Sequence, residues 1–125
     1  YIQNAQADAG SSAALYQAAL EGIANFFLDR GYKVVIGLSC FNPNTTTANY
    51  NLLATGRLAA IAALRAGANG ARVFAGANLY DELGSSGVMG LGGAYLQSDN
   101  IHLNGAGVLA AVPSISSSIL TALRT

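Results

Sequence analysis

The sequence predicts an α/β domain, a layered sandwich of helices on a mostly parallel sheet, and three observations carry that prediction. Apolar runs of strand length alternate with segments of helical period, which is the element order of a layered α/β domain. Past one charged residue each, Lys33 and Arg72, the strand runs are apolar throughout, the pattern of strands covered on both faces. At 125 residues the chain is about one domain long. Parallel strands in such a sheet are joined by right-handed crossovers.

Ser11 and Ser12 suit the N-cap of a helix over about residues 12–30, in which Leu15, Ala19, Ile23, Phe26, Phe27 and Arg30 fall close to a 3.6-residue period. Gly31 sits where that helix should stop. Lys33-Val34-Val35-Ile36-Gly37-Leu38 then reads as a strand buried on both faces. The residues from Asn42 to Thr47 are a loop by composition, leading into a second helix marked by Tyr50, Leu53, Leu58, Ile61 and Leu64 and ending near Gly67.

After Asn69-Gly70, the segment from Ala71 to Ala77 is short and apolar enough for a second buried strand. From Gly84 to Gly93 five glycines, two serines and no charge predict a flexible loop, the kind of segment that often borders a site. A last helix is expected from Gly105 to Leu123, kinked or restarted at Pro113. Two strands are too few for a parallel sheet buried on both faces, and Tyr1-Ile2-Gln3 is read as the end of a third. The expectation is that residues 1–125 are the carboxyl-terminal part of one larger domain, or dock on a chain that supplies the missing strands.

Composition narrows the function classes. Hydrophobic residues make up 52% of the chain and charged ones 10%, where an average soluble domain carries about 25% charged residues. Six Lys/Arg balance six Asp/Glu, and with no basic run the electrostatic footprint for nucleic acid is missing. The stretch from Leu103 to Leu123 lacks charge but contains Asn104, Pro113 and three consecutive serines, so a helix inside a protein core is expected and not a membrane span. No basic leader opens the chain and Tyr1 stands first, so the amino terminus is expected to be a cut one. The single cysteine, Cys40, has no partner for a disulfide or a thiolate metal site; it is expected to be a small buried apolar side chain.

Chemistry concentrates around the only histidine, His102, which follows Asp99 by three residues in Ser98-Asp99-Asn100-Ile101-His102-Leu103-Asn104-Gly105-Ala106-Gly107. A carboxylate that holds an imidazole in one tautomer leaves the other ring nitrogen free to take a proton from a nucleophile. This string resembles the last motif block of the SGNH/GDSL hydrolase family, an Asp-x-x-His sequence followed by an Asn and a Gly that open the final helix, as Asn104 and Gly107 do here. The order of the preceding elements is similar to that family's second half, and the resemblance spans nearly the whole chain.

The resemblance implies a flavodoxin-like α/β/α sandwich and a serine esterase in which His102 is the general base and Asp99 orients it. The serine would lie in a Gly-Asp-Ser block, which does not occur in these residues; it would come from a preceding segment or chain. Ser39, Ser85, Ser86 and Ser98 lack the strand-to-helix turn and are read as loop hydroxyls. The family's Gly-x-Asn-Asp block aligns with Ala5-Gln6-Ala7-Asp8, where Asp8 fits but Ala5 and Ala7 replace the glycine and the oxyanion asparagine. Three readings stay open: Asn4 or Gln6 substitutes, the enzyme has decayed, or the register differs. Losing one oxyanion donor costs roughly a hundred- to a thousandfold in rate.

Tyr80 and Tyr95 flank the glycine loop and are candidates for lining a sugar or acyl pocket, while Tyr16 and Tyr50 are read as helix packing residues. Asp81-Glu82 is read as a solvated turn, no metal or cofactor is expected, and no phosphate-cradling glycine motif follows a strand. The expected function is therefore hydrolysis of an ester such as an O-acetyl group on a carbohydrate. The alternative is a non-catalytic carbohydrate-binding or structural module, such as part of a viral tail fibre or a secreted protein. An extracellular or virion setting and a homo-oligomer go with either reading.

Overall fold

The structure, a computed structural model, describes residues 1–2, 12–39, 46–84, 93–99 and 102–125, which form a mixed α/β arrangement with two parallel strands. Helix α1, Ala13–Leu28, starts where the Ser12 hydroxyl accepts the Leu15 N–H at 3.2 Å. It buries Tyr16, Leu20, Ala24 and Leu28, one residue per turn along a single stripe. It ends as the Gly31 N–H donates to the Leu28 carbonyl at 3.0 Å, with Gly31 at φ 86°, a backbone state that favours glycine.

Strand β1, Val34–Leu38, is buried at all five positions, as an uninterrupted apolar run requires. Helix α2, Thr47–Ala66, is capped by the Thr46 hydroxyl. It approaches α1 closely at Gly56, where a Cβ would stand 2.6 Å from the Ala13 carbonyl oxygen. A 3-10 turn at Gly70–Arg72 leads into strand β2, Val73–Asn78, which runs parallel to β1 with Val34 opposite Val73 and Ile36 opposite Ala75. Ile2 forms an isolated parallel bridge with Ile36 on the side of β1 away from β2, and the described sheet has two strands.

Register slips between Ile36 and Leu38, and Arg57 of α2 fills the irregularity. Its Nε donates to the Ile36 carbonyl at 3.1 Å and one of its terminal nitrogens to the Gly76 carbonyl at 2.7 Å. Burial pushes the Arg57 guanidinium below its usual range and the neighbouring Tyr1 phenol above its own.

Two apolar clusters hold the elements. One joins α1 and α2 to Val34, Ile36, Leu38 and Val73. The other joins Ala77, at the end of β2, to Leu79 and Leu83 of α3 (Leu79–Leu83), to Leu96, and to Ala111 of α4 (Gly105–Arg124). Lys33, just before β1, donates its ammonium to the Ala122 carbonyl at 2.9 Å. With Ala111 near the end of β2 and Ala122 near the start of β1, α4 runs antiparallel to the strands. Its amino end therefore lies at their carboxyl ends.

Several sequence expectations need correction. Leu15, Ile23, Phe26 and Phe27 of α1 are exposed, because the tyrosine-leucine-alanine-leucine stripe beside them meets α2 instead; Leu58 of α2 is likewise exposed. Thr47 is helical, not loop, since Thr46 provides the cap. Strand β2 is only partly buried, with Ala75 exposed. Asp81 and Glu82 belong to α3, a short helix that the sequence did not signal, whose start is fixed by Asn78. Helix α4 is unbroken through Pro113, and it is not a core helix: only Gly107, Ala111 and Ala122 are buried along it. Cys40 lies outside the described residues.

Candidate active site

The candidate site is built on the turn that precedes α4. Leu96 and Leu103 form an antiparallel bridge, the Gln97 N–H donates to the His102 carbonyl at 2.8 Å, and the Gln97 carboxamide donates to the Leu103 carbonyl at 3.0 Å. These bonds bring residues 96–97 and 102–103 side by side and place Asp99 and His102 on the connecting turn. The Asp99 Oδ1 accepts the His102 backbone N–H at 3.1 Å, and its Oδ2 lies 2.7 Å from His102 Nδ1. Three-residue spacing thus lets one carboxylate close the turn with one oxygen and hold the ring with the other.

At 2.7 Å the side-chain contact has the length of a charge-assisted hydrogen bond. A neutral ring that donates from Nδ1 to this carboxylate carries its lone pair on Nε2, the tautomer a general base requires. The His102 and Asp99 side chains are 71% and 43% exposed, so solvent screens the pair and it contributes at most about 1 kcal/mol to stability. The arrangement suits proton transfer at an open surface better than it suits holding the fold together. It also sits at the carboxyl ends of parallel strands, where ligands bind in open α/β sheets.

The other sequence candidates are placed differently. Tyr80 is the second residue of α3 and stacks on buried Tyr50, with ring centroids 4.5 Å apart and planes 24° from parallel. Tyr95 packs against the second cluster, and its carbonyl accepts the Asn104 N–H at 2.9 Å. Asn4 and Gln6, with the whole stretch from Ala5 to Asp8, lie outside the described residues, as do Ser85 and Ser86. Ser98 is exposed beside Asp99, and Ser39 is half-buried after β1. The Asn78 carboxamide donates to Asp81 at 2.5 Å and its backbone N–H to Glu82 at 3.1 Å. Among the described residues no group of three or more His, Cys, Asp or Glu side chains could hold a metal ion.

A cavity of about 390 Å³ lies at the opposite end of the sheet, lined by Tyr1, Ile2, Phe27, Tyr32, Lys33 and Val34. A smaller one of about 200 Å³ separates α1 from the end of α2. Neither includes Asp99 or His102. Sequence reasoning passed over Gln97, whose role depends on a pairing between Leu96 and Leu103 that no local spacing announces. No family model, no curated protein and no solved structure matches this chain.

Proposed function

We propose that this chain is the Asp/His-bearing part of a serine esterase of the SGNH type, acting on an ester such as an O-acetyl group on a carbohydrate. The observation that carries the reading is the 2.7 Å contact between Asp99 and Nδ1 of the exposed His102 ring, at the carboxyl ends of parallel strands. In the architecture this reading implies, α1 and α2 cover one face of the sheet and α4 the other, and a further segment brings a serine to the strand ends.

The serine hydroxyl attacks the ester carbonyl while His102 Nε2 takes its proton, giving a tetrahedral intermediate and an imidazolium that Asp99 stabilises. His102 returns the proton to the departing alcohol, and an acyl-serine remains. Water then attacks the acyl group with His102 again as base, releasing the carboxylic acid and restoring the serine hydroxyl.

Hydrolysis of p-nitrophenyl acetate by the full-length protein tests the reading. His102→Ala is expected to lower kcat/KM by on the order of a thousandfold or more, and Asp99→Asn by a comparable factor through loss of the correct tautomer. A fluorophosphonate is expected to label a serine in the unsubstituted protein. Unchanged hydrolysis in His102→Ala overturns the role of His102 in turnover, and no hydrolysis together with no labelling overturns the esterase assignment and leaves a hydrolase-like module without turnover.

A further inference from the structure

Asn104 makes more contacts than a helix cap requires. Its Oδ1 accepts the Gly107 N–H at 2.9 Å, which is the ordinary capping bond. Ser12 and Thr46 do the same for α1 and α2 with a hydroxyl. Asn104 alone among these three caps also donates, from Nδ2, to the Ala94 carbonyl at 2.6 Å and to the Leu96 carbonyl at 3.1 Å. Its backbone N–H donates to the Tyr95 carbonyl at 2.9 Å, and its own carbonyl accepts the Val108 N–H at 2.9 Å.

These bonds join two pieces of chain, residues 94–96 and the first turn of α4. Gly107 permits the approach, because a Cβ there would overlap the Tyr95 carbonyl oxygen. The segment so held leads directly into Asp99, and Asn104 stands two residues after His102. The Asp99 and His102 side chains are themselves exposed, so burial in a packed core does not set their geometry.

We propose that Asn104 is a positioning residue for His102: its carboxamide ties residues 94–96, which lead into Asp99, to the first turn of α4, and this keeps the Asp99 carboxylate on Nδ1. The proposal rests on the esterase reading for its functional meaning, but its test does not depend on turnover. A hydroxyl or carboxylate at this position preserves the cap and removes both donors, so α4 still forms while the turn loosens.

His102 is the single histidine of these 125 residues, and ¹⁵N spectra of the full-length protein, with its imidazole resonances assigned by their loss in His102→Ala, read its tautomer directly. In the unsubstituted protein the neutral ring is expected to be mainly Nδ1–H. Asn104→Ser and Asn104→Asp are expected to shift the ring toward Nε2–H with helix content retained by circular dichroism. They are also expected to lower kcat by up to roughly 100-fold, as a small misplacement of a reacting group does, with KM little changed.

The same tautomer populations in both variants as in the unsubstituted protein would overturn the role of Asn104. If serine labelling persists in that case, the esterase assignment survives without it. If the tautomer shifts and no serine labels, the positioning geometry stands and the esterase assignment fails.

Discussion

At the scale of single residues, Arg57 and His102 divide the work between them. Arg57 is 6% exposed and donates to two main-chain carbonyls where the β1–β2 register slips. An apolar side chain there would remove the donor from the buried contact to Ile36 and from the part-buried one to Gly76, so Arg57→Met is expected to lower the unfolding free energy by about 2–4 kcal/mol. Urea denaturation measures it, and a loss below about 0.5 kcal/mol would mean that water replaces the guanidinium. His102 sits at the other extreme, exposed on a turn, and its value is chemical. The face that buries Arg57 was legible only in part: helical spacing marked Tyr50, Leu53, Ile61 and Leu64, all buried, but included exposed Leu58 and passed over Arg57. The register slip was not legible, because it arises only when two strands meet. The Asp99–His102 pair was legible through its spacing, whereas Gln97 and the two donor bonds of Asn104 depend on how a turn folds back.

At the scale of elements, the apolar runs located α1, α2, both strands and α4 to within a few residues, because period and capping act locally. Helix α3 escaped notice since its five residues carry too little pattern, and Asn78 sets it through side-chain bonds. Pro113 is the instructive error. Proline lacks the N–H that would bond to the Leu109 carbonyl and crowds that carbonyl with its ring, which predicts a kink or restart. Helix α4 nevertheless passes through without a break. Ala111 on one side and the half-buried Ser114 and Ile115 on the other anchor both halves, while the Leu109 carbonyl lies on an exposed stretch where water can satisfy it. Tertiary packing outweighs the local penalty, which remains as a cost. Pro113→Ala is therefore expected to stabilise the protein by about 1–3 kcal/mol, the helix-interior cost of proline less the stiffening it confers on the unfolded chain. Thermal unfolding followed by circular dichroism measures the shift, and a fall in midpoint would show that the ring makes packing contacts of its own.

At the scale of the whole molecule, the uncharged carboxyl-terminal stretch was expected to be interior, and that expectation failed for a geometric reason. A helix apolar all round needs partners on all sides, but composition does not say which sides have them. In α4 the stripe of Gly107, Ala111 and Ala122 meets the strands and α3, and it is built from small residues that let the backbone approach closely. The larger side chains point the other way: Leu109 is 75% and Leu123 69% exposed, with Val108, Val112 and Leu120 nearly half exposed beside them. The two faces therefore answer differently to substitution. Replacing Leu109 and Leu123 together by Gln is expected to leave the unfolding free energy within about 0.5 kcal/mol, as for surface positions away from special features. The same pair of changes should reduce binding of the apolar dye ANS, which reports exposed hydrocarbon surface. Ala111→Leu, by contrast, forces three extra carbons against Ala77, Leu79 and Leu96 and is expected to cost about 1–3 kcal/mol. A loss above about 1 kcal/mol from the Leu109 and Leu123 changes would mean that this outer face is packed in solution, and the assignment of α4's small-residue side as its one buried face would then be wrong.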